Sequence, residues 1–196
     1  VVQELSVPTR MALKILTWNI AGGSVSRQAP EGFTGRDKIS IVVAEVGRWS
    51  PDFFALQECV QASAVEEFGE AYQFVGAARV AVQKTFVHVY AKKGLRVELL
   101  LQQREWPGVL SRLWVGGEAL DVAAVHLEPG VQGAELRKKQ LIAVSDERHS
   151  SAMVILGDFN IRAEEEEGLL KRLGFRNAFY NGASWDSGCC SMMRRW

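Results

Sequence analysis

The segment "MVILGDFN" (Met153–Asn160) joins a short apolar run to an aspartate and an asparagine. A run of this length, rich in branched apolar side chains, is typical of a buried strand. Asp158 and Asn160 follow directly, so the strand closes on a carboxylate and an amide. Two interpretations are open for this pair: a simple Asx-type turn, or the edge of a functional cleft.

Three other predicted strands also end in polar side chains. The strand in "KILTWNI" carries Asn19 near its end, "FFALQEC" carries Gln57 and Glu58, and "DVAAVHLEP" carries His126 and Glu128. Strand ends at one edge of a layered sheet converge on a cleft, where polar function is usually built. We therefore expect these groups to lie together with the end of the first segment.

Each of these residues taken alone also has a simpler explanation. Asn19 can be a turn residue at a strand end. Glu58 can cap the following helix or face solvent, and His126 can be a hydrogen-bonded structural histidine. Their joint appearance at four strand ends favours a shared site.

The residue types at these strand ends indicate a particular chemistry. A glutamate, an aspartate and two asparagines, without cysteine, are oxygen ligands suited to Mg²⁺ or Mn²⁺ rather than to zinc. Such an ion polarises a phosphoryl oxygen and lowers the pKa of an attacking water. The residues thus predict metal-assisted hydrolysis of a phosphoester.

The order of predicted elements indicates an α/β protein with mixed sheets. Strands and helices alternate early and late in the chain, and consecutive strands fill the middle. A hairpin is predicted through Gly116-Gly117. Helices are predicted over residues 37–49, 63–72, 133–149 and 163–175.

Composition describes an ordinary globular domain. The chain has 196 residues, is 47% hydrophobic and 23% charged, and carries 23 basic and 23 acidic residues. The zero net charge gives no overall sign of a nucleic-acid binder, although a local basic patch can still form. No apolar run approaches the ~18 residues of a membrane span. The sequence leaves the oligomeric state open and favours a monomer.

The cysteine count bears on the compartment. The three cysteines are Cys59, Cys189 and Cys190. An odd number without metal-ligand spacing argues against a disulfide framework or a zinc site. We expect a reducing intracellular location, in the nucleus or cytoplasm.

Four ordered motifs carry a family resemblance. "LTWNI", "DFFALQE", "VHLEPG" with the following "ELRKKQL", and "ILGDFNIR" stand in the order found in the endonuclease/exonuclease/phosphatase (DNase I-like) superfamily, which the chain resembles over residues 14–162. The resemblance implies a four-layer α/β/β/α sandwich. It also implies Mg²⁺-dependent phosphoester hydrolysis, with Mn²⁺ as a possible substitute.

The resemblance also implies roles for the strand-end residues. Glu58 would be the principal metal-binding carboxylate, with Asn19 beside it as a ligand or phosphate contact. Asp158 would position or activate the nucleophilic water, and Asn160 would donate a hydrogen bond to the scissile phosphate. His126 would contact phosphate oxygens in the transition state.

Shorter matches point to one branch of the superfamily. "TWNI", "HLE", "GDFNIR" and "SWDS" resemble segments of the 5′-tyrosyl-DNA phosphodiesterases. This resemblance implies that Trp185 lines the substrate groove. Arg162, just past Asn160, is a candidate contact to a substrate phosphate.

The C-terminal part departs from the superfamily pattern. Members carry a later strand with an aspartate and a final Asp-His pair, whereas no histidine follows Asn160 here and the only later aspartate is Asp186. We expect a loose lead-in at residues 1–10, a domain at 11–186 lacking its C-terminal strands, and an atypical tail at 187–196. The chain is then either a truncated or mis-spliced product, or a shortened homologue that has lost turnover. Both explanations predict weak or absent hydrolysis by residues 1–196.

The sequence as a whole predicts a phosphodiesterase-type domain that acts on nucleic acid, with 5′-tyrosyl-DNA adducts as the specific substrate. Two alternatives remain. One is a catalytically dead homologue that binds phosphate or a protein partner. The other is a phosphodiesterase of the same superfamily that acts on lipid or inositol phosphates.

Overall fold

The structure, a computed structural model, describes residues 2–6, 12–21, 35–81, 84–103, 105–161 and 171–175. Within these ranges the chain forms two β-sheets and two longer α-helices. The strands are β1 (Val2–Ser6), β2 (Ala12–Asn19), β3 (Phe53–Cys59), β4 (Tyr72–Val80), β5 (Thr85–Lys92), β6 (Val97–Gln103), β7 (Gly108–Val115), β8 (Glu118–His126) and β9 (Ala152–Asp158). The helices are α1 (Gly35–Trp49) and α2 (Ala134–Asp146).

Each sheet contains one parallel pair of strands. The first sheet has the order β1-β2-β3-β5-β4, and the second has the order β6-β7-β8-β9. β2 runs parallel to β3, and β8 runs parallel to β9. A parallel pair needs a crossover connection, which α1 supplies in the first sheet and α2 in the second. The carboxyl ends of the two strands in each pair therefore lie at the same edge.

The main core lies between the two sheets. Alternate residues of the strands from β2 to β9 face it, as expected for a period of two. The inward residues of the first sheet include Leu13, Ile15, Phe53, Ala55, Val87 and Val89, and those of the second include Val109, Leu113, Val122, Ala124 and Leu156.

The helices cover the outer faces of the sheets. α1 packs Val42 and Val46 into a cluster with Phe54 of the first sheet. α2 packs Leu141 into a cluster with Val125 of the second sheet. Two sheets face to face with a helix on each outer face make the predicted four-layer α/β/β/α sandwich, which is confirmed.

The predicted hairpin is also confirmed. β7 and β8 pair from Val115 and Glu118 outwards, joined by Gly116 and Gly117. The two glycines have φ angles of 60° and 89°. Positive φ at both central positions is what a tight hairpin turn requires, and glycine adopts it without strain.

Two local predictions are wrong. The described part of the predicted lead-in is not loose, since Val2–Ser6 pairs antiparallel with β2. The helix predicted at 63–72 is reduced to a 3-10 turn at Glu66–Phe68, and Tyr72 already begins β4. The rings of Phe68 and Tyr72 lie 5.1 and 4.9 Å from that of Phe54, so contacts with the sheet override the local helical pattern.

Several predicted features lie outside the described residues. Only residues 171–175 of the last predicted helix are described, with helical backbone at 171–172 and a turn at 173–174. The tail at 187–196 is not among the described ranges. No helix within those ranges is both long and apolar enough to cross a membrane.

Candidate active site

The strand ends named from the sequence meet between the two sheets. Along β2, Leu13 and Ile15 face the inter-sheet core, so Asn19 faces the same way at the end of the strand. Along β8 and β9 the same alternation places His126 and Asp158 on the inner face of the other sheet, paired in register. These polar side chains thus lie between the two sheets, next to the apolar core, at the edge where both parallel pairs end.

Asn19 connects the two sheets through its side chain. Its Nδ2 donates to Oε1 of Glu58 at 2.9 Å and to Oδ2 of Asp158 at 2.8 Å. Its Oδ1 accepts from the backbone N–H of Ala21 at 2.9 Å. An oxygen in place of the nitrogen would face two carboxylates, so electrostatics favours this amide orientation. One amide therefore holds both acidic groups of the site.

Three residues around the site have left-handed backbone conformations. Ala21, Glu58 and Asn160 have φ angles of 47°, 61° and 50°. This region is unfavourable for residues with a Cβ, and such strain tends to cluster where function fixes the backbone. In Glu58 the conformation occurs at a bulge in β3, and the side chain meets Asn19.

The loop after β9 is tied to the end of β8. The side chain of Asp158 accepts from the N–H of Asn160 at 3.0 Å, and Asn160 Nδ2 donates to the carbonyl of Leu127 at 3.0 Å. The N–H of Leu127 donates to the carbonyl of Asp158 at 2.9 Å. The sequence interpretation of an Asx-type turn is thus confirmed, and it coexists with the site because the second carboxylate oxygen faces Asn19.

His126 is buried beside the acidic pair. Its side chain is 1% exposed, and Nε2 lies 3.8 Å from Oδ2 of Asp158. Desolvation lowers the pKa of His126, and the negative charges of Asp158 and Glu58 oppose that effect. Because the pKa falls below its usual value, the imidazole is neutral at neutral pH.

Lys38 is a site residue that sequence reasoning missed. It lies in the first turns of α1, and its Nζ donates to the carbonyl of Ala21 at 2.6 Å. Desolvation lowers the pKa of Lys38, while the charge of Glu58 raises it. A lysine at the second position of a predicted helix carries no sequence signal for this contact, which depends on how α1 packs beside the end of β2.

Helix α2 fixes the loop that follows His126. Arg137, fully buried, donates to the carbonyls of Glu128 and Gly130 at 2.9 and 2.7 Å. Gln140 accepts from the N–H of Glu128 at 3.1 Å. These contacts hold the backbone segment between His126 and α2. Asp158 and Asn160, at the end of β9, are in turn bonded to Leu127 of this segment.

The donor set of the site fits a hard divalent cation. Among the described residues, no three His, Cys, Asp or Glu side chains group closely enough to hold a metal ion. Mg²⁺, however, typically takes one or two carboxylates and completes its shell with water and substrate phosphate. Glu58 and Asp158 both accept a hydrogen bond from Nδ2 of Asn19. The site therefore offers two neighbouring carboxylates, and no thiolate, to a cation.

The structure brings together five of the residues named from the sequence: Asn19, Glu58, His126, Asp158 and Asn160. Two remaining candidates, Arg162 and Trp185, lie outside the described residues.

A sandwich of this architecture, with its polar cluster between the sheet ends, is the DNase I-like class, whose members are hydrolases of phosphoesters. Residues 16–191 match the Endonuclease/Exonuclease/phosphatase family, and the chain belongs to that family. No curated protein matches this chain significantly.

Solved structures share this fold. A D. rerio TDP2 structure complexed with single-strand DNA product is 22% identical with a TM-score of 0.63, and the match covers 85% of this chain and 66% of that chain. A truncated Caenorhabditis elegans TDP2 is 22% identical with a TM-score of 0.59, covering 77% and 63%. The human Nocturnin catalytic domain with a bound sulfate anion is 13% identical with a TM-score of 0.61, covering 82% and 70%. The chain thus spans just under two thirds of the two TDP2 chains, and identities this low show the fold alone.

Proposed function

We propose that this chain is a metal-dependent phosphodiesterase domain that acts on nucleic acid, with 5′-tyrosyl-DNA adducts as the specific substrate. The observation that carries the proposal is the bridge from Asn19 to Glu58 and Asp158, which gathers two carboxylates from separate sheets at one point. An intracellular location is part of the same proposal and is supported by Cys59, which is a free, buried thiol.

Glu58, with Asp158 or Asn19 beside it, would hold the cation. A bound Mg²⁺ or Mn²⁺ supplies charge neutralisation at a phosphoryl oxygen and lowers the pKa of bound water. Glu58 and Asp158 both lie within hydrogen-bond distance of Asn19 Nδ2, so the two carboxylates that such an ion takes are close together.

Asp158 is suited to orienting a water molecule. Its Oδ1 is held by the N–H of Asn160 and its Oδ2 by Asn19, so the plane of the carboxylate is fixed. A fixed carboxylate can accept a proton or hydrogen bond from an attacking water without first reorganising.

His126 and Asn160 are suited to contacting the phosphate. Neutral His126 has one ring N–H to donate, and its burial strengthens such a hydrogen bond to a phosphoryl oxygen. Asn160 Nδ2 is within the same loop and now donates to Leu127. Contact with the scissile phosphate would give this nitrogen a second acceptor.

Nucleic acid is the favoured substrate class for two reasons. The motifs resemble the 5′-tyrosyl-DNA phosphodiesterase branch, and a protein of the same fold, D. rerio TDP2, is complexed with single-strand DNA product. Roles for Arg162 as a phosphate contact and for Trp185 in the substrate groove belong to this proposal.

An assay of purified protein on a 5′-phosphotyrosyl oligonucleotide and on an abasic duplex, with Mg²⁺, Mn²⁺ or EDTA, tests the proposal. We expect slow metal-dependent release of tyrosine from the first substrate, decreased by about 100-fold or more in Glu58→Gln and Asp158→Asn. Glu135→Gln, at an exposed carboxylate of α2, is the matched control and should retain full activity.

Cleavage that persists in EDTA or in Glu58→Gln would contradict the proposal. Metal-dependent binding of the oligonucleotide without any cleavage would instead support the catalytically dead phosphate-binding homologue.

A further inference from the structure

Strand β3 contains a bulge directly before the active-site edge. Leu56 pairs with His88 of β5 and Cys59 pairs with Phe86, so β3 advances three residues while β5 advances two. The extra residue is accommodated at Glu58, where φ is 61°.

The bulge determines where Glu58 points. Phe54 and Leu56 face α1, and simple alternation would send Glu58 to that apolar side as well. Cys59 instead returns to the α1 side, and Glu58 reaches Asn19 on the inter-sheet side. The carboxylate is therefore in the site only because the bulge is present.

His88, opposite the bulge, has a defined tautomer. Nε2 faces the carbonyl of Gln61, which can only accept, so in the neutral ring Nε2 carries the proton. Tyr90 Oη accepts from the N–H of Val65 at 2.9 Å and gives its own proton to Nδ1 of His88, 3.1 Å away. Nδ1 is then an acceptor, and Nε2–H donates to the carbonyl of Gln61 at 2.6 Å. Burial lowers the pKa of His88, which agrees with a neutral ring.

These contacts tie the segment that leaves the bulge back to β5. Gln61 lies three residues after Glu58, in a stretch whose side chains are mostly exposed, with Val60 60% exposed. A segment with so little apolar burial depends on hydrogen bonds for its position. His88 is fully buried and packs against the ring of Phe74 at 5.3 Å, so it is a rigid anchor.

We propose that His88 is a positioning residue for Glu58: by holding the carbonyl of Gln61 it fixes the bulge of β3 and keeps the carboxylate directed at Asn19. The inference rests on the proposed function for its consequence in catalysis. The contact between Asn19 and Glu58 can be measured without any catalytic turnover.

Three variants separate this role from general stability. His88→Gln retains a side-chain N–H that can reach the Gln61 carbonyl and an oxygen that can accept from Tyr90. His88→Met has a similar volume and no donor. Val87→Ala, on the same strand but facing the inter-sheet core, is the matched control for loss of packing.

The readout is the side-chain amide of Asn19, identified in ¹⁵N-correlated spectra by its loss in Asn19→Asp. We expect the amide proton that donates to Glu58 to shift in His88→Met towards the position of solvent-exposed amides, because this bond is lost, while the proton that donates to Asp158 shifts less. In His88→Gln and Val87→Ala the resonances should stay at their wild-type positions. Unchanged resonances in His88→Met, or an equal shift in Val87→Ala, would overturn the proposal.

If His88→Met does not fold, His88→Asn takes its place. Its side chain is polar but one methylene shorter than that of His88→Gln, so its N–H no longer reaches the carbonyl of Gln61. It should shift the Asn19 resonances, whereas His88→Gln should not; equal spectra for both would again overturn the proposal.

The Mn²⁺ affinity should fall about tenfold in the variant whose Asn19 resonances shift. A wild-type protein that neither binds Mn²⁺ nor cleaves would sink the proposed function, while the Asn19 spectra would still decide the role of His88.

Discussion

The amide nitrogen of Asn19, on the first sheet, lies 2.8 Å from a carboxylate oxygen of Asp158, on the second sheet. The same nitrogen lies 2.9 Å from the carboxylate of Glu58. Two acidic groups from different layers are thus kept close by one neutral donor. This arrangement leads to the first prediction.

Replacing Asn19 with alanine should destabilise the protein. The change leaves two carboxylates facing each other and removes hydrogen bonds to charged acceptors, each worth about 1.5–3 kcal/mol. Urea unfolding without divalent cations measures the loss. Gln73→Ala is the control, since Gln73 donates one bond to the neutral carbonyl of Leu95 at 2.9 Å and should cost only about 0.5–1.5 kcal/mol. Equal losses in the two variants would show that the carboxylates do not depend on Asn19.

Gly157→Ala should be severely destabilising. Gly157 has a φ of 136°, and a Cβ there would overlap the carbonyl of Val125 on the neighbouring strand. β9 must then separate from β8, and we expect a loss of roughly 3 kcal/mol or more in the free energy of unfolding. Gly94→Ala, with a φ of 91° and no atom within 4 Å of the added Cβ, supplies the control for backbone strain alone. A Gly157→Ala protein as stable as Gly94→Ala would be inconsistent with this close approach.

Lys38→Met should reduce activity more than stability. Lys38 Nζ holds the carbonyl of Ala21, whose N–H in turn fixes Oδ1 of Asn19. Loss of this contact frees the amide to turn, and we expect kcat/KM to fall between about 10-fold and 100-fold. Lys38→Arg should recover much of the activity because it keeps a cationic donor.

The control for this prediction is Lys92→Met, at a lysine whose Nζ contacts Ser50 and Asp52. Its activity should remain at the wild-type level. Equal activity losses in Lys38→Met and Lys92→Met would argue against a specific role for Lys38.

Stability should decrease as the pH falls below about 6.5. Burial lowers the pKa of both His88 and His126 in the folded protein. The unfolded chain therefore binds protons at a higher pH than the folded one, and stability is lost as the pH falls through this window. The loss cannot exceed about 1.4 kcal/mol per histidine for each pH unit. Urea unfolding at pH 7.5 and 5.5 measures the slope, which should be smaller in His88→Gln. A flat profile in the wild type would refute the prediction.

The residues of the candidate site could be named from the sequence because a local pattern marks them. A polar group such as Asn19 or Asp158 at the end of an apolar strand is visible without knowing what lies opposite. Helix α1 and the hairpin at Gly116-Gly117 were predictable for the same reason, since periodicity and turn chemistry act over a few residues.

Features that depend on distant partners were not predictable. β1 gains its order from pairing with β2, and β4 follows a segment whose aromatic residues pack on Phe54. The bulge at Glu58 and the reach of Lys38 arise from register and helix packing, for which a single sequence gives no local signal.

The two parallel strand pairs have a kinetic consequence. Asn19 is separated from Glu58 by 39 residues and from Asp158 by 139. Loop closure must precede such contacts, so pairings of this separation form slowly and late. The polar cluster around Asn19 is therefore assembled late, when both crossover units have formed and the sheets have docked, and an Asn19–Asp158 contact marks a molecule in which the two sheets have docked.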